Sequence, residues 1–379
     1  MEKRIIAAAL LACTLATASA QKDEKKISVM SDIKFSGYVM TQYQYSSQDN
    51  AKSNTFNMRM TRLALEGRLL QDFYWKVQLQ VNGNTSTLGN SPRMVDAFAE
   101  WQKYAAFKVK AGQFKRPFTF ENPMHPMTQG FMSYAQGVTK LAGFSDRNGG
   151  HASNGRDIGV QIQGDFLKNS QGRNLLHYQV GVFNGQGINT KDVDQRKDII
   201  GGAWVAPVKG LRIGAFGWTG SYARKGTWKE TASDGTETTK SGIRSLDVNR
   251  YAFSAEYAAN DWTLRSEYIH SNGWGFKTTY QNETNSKDCT INTDAGNEAD
   301  GFYALVIAPV IKNKVHVKAR YDLYRPSASW NTAKTYYEIG ADYEIGKHIK
   351  LCAEYAYVND RSLQKQNYNM LDFEFDVKF

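Results

Sequence analysis

The chain ends in a strict alternation: Leu371, Phe373, Phe375, Val377 and Phe379 are apolar, while Asp372, Glu374, Asp376 and Lys378 between them are charged. A period of two assigns the two sets to opposite faces of one strand. Lys314 to Tyr321, Trp75 to Asn82 and Tyr337 to Ile345 repeat the pattern, and no run of period 3.6 competes with it. A chain built this way is all-β. Past residue 20 no stretch approaches the roughly 20 apolar residues of a spanning helix.

Sixteen such runs are legible, at about 33–47, 56–70, 73–83, 93–104, 106–116, 156–166, 174–184, 198–208, 211–222, 248–258, 261–272, 301–311, 314–325, 335–346, 349–360 and 367–379. They are longer than the usual five or six residues of strands in water-soluble proteins. A tilted strand needs about 9–11 residues to cross a bilayer. The connections alternate between short turns and longer loops, the loops falling at 48–55, 84–92, 117–155, 185–197, 223–247, 273–300, 326–334 and 361–366. An even strand number with short turns on one side and long loops on the other is the plan of a transmembrane barrel. Hydrocarbon offers no hydrogen-bond partner, so such a sheet must close on itself. The expectation is a 16-stranded antiparallel transmembrane β-barrel. Tyr74, Trp75, Trp101, Tyr104, Trp262 and Tyr343, beside the short turns, are the expected aromatic girdle.

The N-terminus reads separately. Lys3 and Arg4, the apolar run from Ile5 to Ala12 and Ala18-Ser19-Ala20 form a cleavable signal peptide over 1–20. Cys13 offers only a weak lipidation box. A short periplasmic segment, 21–32, then leads into the pore domain, 33–379. Without Glu2, Lys3 and Arg4 the chain has 45 basic and 36 acidic residues, a net charge of +9. Two cysteines remain, Cys289 and Cys352, on opposite sides of the expected membrane, so both are expected as free thiols.

The expected inner face is ionic. It carries Arg62, Arg68, Lys76, Lys108, Lys110, Arg250, Arg265, Lys318, Arg320 and Lys350, against carboxylates that include Glu66, Asp96, Glu100, Glu267, Glu338, Asp342, Glu354 and Glu374. These charges belong in a water-filled lumen. The connection 117–155 mixes aromatic residues with glycine, unlike a solvated linker, and a loop this long is usually functional. It is expected to fold inward as the third outer loop and narrow the channel. Candidate anion ligands are Lys115, Arg116, Lys140, Arg147 and Arg156 around it, with Arg59, Arg62 and Arg320 on the wall. Guanidinium groups hold anions bidentately, which favours Arg116, Arg147 and Arg156.

The segments AGQFKRPFTFENP (111–123), NGRDIGVQIQGDF (154–166), YQVGVFNGQGIN (178–189) and YEIGADYEIGKHIKLCAEYAYVND (337–360) resemble the phosphate-selective porin O/P family, in motif order and over nearly the whole mature chain. The resemblance implies a homotrimeric outer-membrane porin with its third loop inside the barrel, passing anions such as phosphate. Where that family carries paired basic residues at the start of strand two, this chain reads Arg59-Met60, with Arg62 following. General diffusion of small polar solutes is the alternative. The terminal Phe379 resembles the signal read by outer-membrane assembly machinery.

Other chemistry is weakly signalled. The six His residues are scattered, with no metal-spaced pair, and Gly-rich phosphate loops, Cys-x-x-Cys and nucleophile elbows are absent from the sequence. The expectation is a channel, not an enzyme, with no cofactor. Basic residues are spread along strands rather than clustered, so nucleic acid is not an expected partner.

Overall fold

The computed structural model describes residues 29–82, 92–145, 147–149, 153–231, 233–280 and 287–379. The signal peptide, Cys13 and most of the 21–32 segment lie outside these residues. Sixteen strands follow in order: β1 Met30–Ser46, β2 Ser53–Leu69, β3 Phe73–Gln80, β4 Arg93–Tyr104, β5 Phe107–Lys115, β6 Arg156–Lys168, β7 Asn174–Phe183 and β8 Asp198–Val205. The second half is β9 Leu211–Thr231, β10 Glu237–Ala259, β11 Trp262–Asn272, β12 Glu298–Ile311, β13 Val315–Arg325, β14 Lys334–Ile345, β15 Ile349–Asp360 and β16 Asn367–Lys378. One short helix, α1 (Gln136–Leu141), lies in the long connection between β5 and β6.

Each strand pairs antiparallel with its neighbours, and β16 pairs with β1 to close the ring. The seam is completed by the last residue: the Phe379 and Gly37 backbones exchange two hydrogen bonds of 3.0 Å each. The Phe379 ring covers Gly37, where a Cβ would come within 2.6 Å of it. The alternation is divided as lipid and water demand. Val180, Ile199, Ile213, Phe253, Leu264, Val317, Ile339, Phe373 and Phe375 are exposed on the outer face, while Arg62, Arg265, Lys318, Arg320, Glu267, Glu354 and Glu374 are buried within the ring.

Two expectations are corrected. The segment 223–247 is mostly not loop: β9 and β10 continue as a paired ribbon to Thr231 and Glu237, turning at Asp234-Gly235, where Gly235 has φ +85°. Above the membrane both ribbon faces meet water or other loops, so no apolar alternation marks it. The loop residues Lys287, Asp288 and Cys289 dock on this ribbon, Cys289 packing among Tyr222, Leu246 and Phe276. Tyr74 does not join the outer girdle either. It shares parity with Lys76 and bonds Glu66 at 2.7 Å, whereas Tyr104, Trp262 and Tyr343 are exposed on the outer face. Cys289 and Cys352 are free thiols.

The β5–β6 connection crosses the barrel interior. Phe118, Phe120, Phe131, Val138, Leu141 and Phe144 pack on inward-facing Phe114, Phe183, Ile200, Phe216, Trp218, Ile269 and Tyr303. This apolar patch on the inner wall gives the connection a reason to dock there, since burying each such side chain is worth about 1.5–3 kcal/mol.

Candidate functional site

The docked connection is fixed by lumen charges that answer its backbone groups. Phe120 and Glu121 N–H donate to the Glu267 carboxylate at 2.7 and 2.8 Å, Met132 N–H to Glu354 at 2.9 Å, and Gln136 N–H to Asp322 at 2.8 Å. In return Lys318 donates to Gly130 O and Arg320 to Ser133 O, each at 2.9 Å, and Arg250 to Leu141 O at 2.8 Å. The anchors lie on β10, β11, β13 and β15, across the ring from β5, where the segment leaves the wall. It therefore spans the lumen rather than lining its rim.

Four of the eight candidate anion ligands, Arg59, Arg116, Arg156 and Arg320, have carboxylate partners. Arg116 bonds Asp157 through Nη2 at 2.7 Å and Nε at 3.2 Å, and lies over the Trp218 ring at 4.8 Å, which ties the two ends of the connection together. Arg156 makes a two-point contact with Asp96 at 2.6 and 3.0 Å. Arg59 bonds both oxygens of Glu374 at 2.9 and 3.0 Å, and Arg320 both oxygens of Glu338 at 2.5 and 2.9 Å. Arg147 caps the carbonyls of Gly273, Ala295, Gly296 and Pro326 in the outer loops, and Lys140 bonds Ser145 Oγ at 3.4 Å. Neither of these two joins the wall cluster.

Two cations differ. Arg62 Nε donates to Gln80 Oε1 at 3.0 Å, and its buried Nη2 has no hydrogen-bond partner. Lys115 Nζ is surrounded by neutral groups: Asn122 O at 2.7 Å, Tyr134 OH at 2.8 Å and Met124 O at 3.1 Å, with the Tyr134 and Phe144 rings beside it. Among the described residues no carboxylate comes within ion-pair distance of either. Arg62, Lys115 and Arg156 lie within electrostatic reach of one another, with Asp96 as the neighbouring carboxylate common to all three. Glu121 is a second carboxylate near Lys115, but it is paired with Arg265 at 3.3 Å, so the three cations outnumber the carboxylates around them.

His125, on the inward connection, sits beside these cations. Its ring meets Tyr38 edge-on at 4.6 Å and remains accessible to lumen water. Crowding against the wall, and then the positive charges of Arg62 and Lys115, push its pKa down to about 4. Sequence reasoning missed His125, Tyr38 and Tyr134, which assemble around the cations only once the connection is folded.

The register explains how Arg59 reaches the lumen beside Met60. Met40 pairs with Met60 and Thr41 with Met58, so Arg59 is the extra residue of a β-bulge. A bulge re-aims a side chain out of strict alternation.

Comparison with known proteins agrees with this architecture. Residues 7–363 match the Gram-negative porin family. The fold is shared with an anion-selective porin from Comamonas acidovorans, 14% identical over 92% of this chain and 100% of that one, with a TM-score of 0.61. It is also shared with OmpF of Salmonella typhi in complex with daunomycin, at 12% identity, 92% and 98% coverage and a TM-score of 0.62. The outer-membrane channel DcaP of Acinetobacter baumannii aligns at 14% identity, 95% and 100% coverage and a TM-score of 0.57. No curated protein matches the sequence. Family and fold point to a channel of the outer membrane rather than to an enzyme, and the chain belongs to the Gram-negative porin family.

Proposed function

We propose that this porin is a passive channel that favours small anions, phosphate among them, in the manner of the phosphate-selective O/P porins. The observation that carries the reading is the pair Arg62 and Lys115, cations without a carboxylate partner among the described residues, beside His125, whose neutral form is favoured by crowding against the wall and then by their charges. Fixed positive charge next to a narrow aqueous path lowers the barrier for anions and raises it for cations. The unengaged Nη2 of Arg62 offers donors to an anion, while Lys115, whose three N–H groups are held by Asn122 O, Met124 O and Tyr134 OH, contributes charge. The proposal includes export through the 1–20 signal peptide, assembly through Phe379, and a homotrimer. One neighbour of the same fold, OmpT of Vibrio cholerae, is described in a trimer form.

General diffusion is the second reading, and one observation favours it. Asp372, Glu374 and Asp376 share the inner face of β16, where Arg59 is the cation bonded to Glu374 and the Oδ1 atoms of both aspartates lack donors. The test is the reversal potential of single channels under a salt gradient for Lys115→Gln and Arg62→Gln. Lys229→Gln is the control, since Lys229 pairs with Glu237 on the exposed ribbon and surface charge fades within about 8 Å at physiological salt. Anion preference falling several-fold in the first two, and staying unchanged in the control, supports the proposal. Equal small shifts in all three favour general diffusion.

A further inference from the structure

At the short-turn end of the barrel, strand pairing assembles a donor set that the linear sequence conceals. His316 on β13 stands directly opposite Asp342 on β14, and Glu344 lies two residues further along the same face. One ligand atom from each of the three lies within 4.8 Å of the others. We propose that His316, Asp342 and Glu344 bind a divalent transition-metal ion, Zn2+ being the probe of choice, at the periplasmic mouth of the lumen.

The histidine is already oriented as a ligand. Its Nε2 is 3.1 Å from Asp261 Oδ2, an oxygen that also accepts the Asn313 backbone N–H at 2.6 Å. With Nε2 donating to the Asp261 carboxylate, the Nδ1 lone pair faces Asp342 Oδ2 at 3.3 Å. A carboxylate behind the imidazole is the usual outer-shell arrangement of metal-bound histidines.

Asp342 is itself incompletely bonded. Its Oδ1 is buried without a hydrogen-bond donor. Lys318 Nζ lies 3.5 Å from that oxygen but is held at 2.6 Å by Glu354. Lys350 lies 3.5 Å from Asp342 Oδ2 and Lys312 stands near Asp261, and the three carboxylates of Asp261, Asp342 and Glu344 outnumber these two ammonium groups. One imidazole with two carboxylates suits Zn2+, Cu2+ or Ni2+, whereas Mg2+ and Ca2+ prefer an all-oxygen shell.

The test is isothermal titration of Zn2+ into the folded, untagged full chain in detergent, with Ca2+ as the comparison ion. Saturable binding of one Zn2+ per chain is expected, abolished in His316→Gln and weakened about 10- to 100-fold in Asp261→Asn, which alters only the orienting group. Asp261 sits in a turn, so this second variant reports on the site even if the first fails to fold. The absence of saturable Zn2+ binding by the unsubstituted chain overturns the proposal, and leaves His316 as a clamp between Asp261 and Asp342. Binding that either variant leaves unchanged overturns it as well.

Discussion

Replacing Arg116 by Ala separates a structural role for this residue from a role in holding anions. The Arg116 and Asp157 side chains are 4% and 0% exposed, and the guanidinium reaches Asp157 through two nitrogens at 2.7 and 3.2 Å. Removing it leaves the Asp157 carboxylate buried with backbone N–H donors alone, those of Ile158, at 2.8 Å, and Gly187. Stranding one member of a buried pair costs about 3–5 kcal/mol. Loss of the guanidinium over Trp218, at 4.8 Å, adds about 1 kcal/mol. Asp157→Ala should cost a similar amount, and the double variant should cost clearly less than the sum, because each single change strands the other member of the pair whereas the double change strands neither. Urea unfolding of the detergent-folded barrel measures all three. Proteolysis within 117–155 should speed up in the single variants, since the tie between the ends of the inward connection is lost. A loss below about 1 kcal/mol in Arg116→Ala, or strictly additive losses, would refute the structural role. Arg116 would then return to consideration as a ligand.

Two further outcomes are expected. Folded His125 releases its proton near pH 4, against 6.5 for the ordinary side chain, so the unfolded chain binds more protons between those values. The stability tied to the neutral ring is therefore present above about pH 6.5 and lost as pH falls to about 4; subtracting a His125→Gln profile should isolate this slope, and a flat difference contradicts it. Phe379→Glu places a charge on the exposed outer face beside Gly37 at the closing seam, so outer-membrane levels should drop while synthesis is unchanged; normal levels would remove the seam from the assembly account.

The membrane made the strands legible. Lipid on one face and ionic lumen on the other force the alternation seen in β16, where Phe373 and Phe375 face outward and Glu374 and Asp376 inward. Where that constraint lapses the signal fades, as in the β9–β10 ribbon, whose turn at Asp234-Gly235 is nonetheless a recognised hairpin cue. Nearness to a turn suggests the girdle for Tyr74, but its parity with Lys76 assigns it to the lumen. The cation partners were not legible. Arg156 and Asp96 are separated by sixty residues and meet through the β4–β5–β6 register. Arg59 reaches Glu374 from a bulge that no periodic pattern marks. Whether a lumen cation is paired or unpaired follows from such registers and from the inward connection, so the distinct position of Arg62 and Lys115 emerges only in three dimensions.

The most direct test of the central claim is the zero-current potential of the unsubstituted porin in a planar bilayer under a potassium chloride gradient, repeated with potassium phosphate. K+ and Cl− have nearly equal mobilities, so the sign of the potential reports the fixed charge of the channel. The account requires stable conductance steps and a potential of anion-preferring sign in both salts, shrinking as total salt rises and screening shortens the reach of Arg62 and Lys115. A potential of zero or cation-preferring sign at low salt would contradict it.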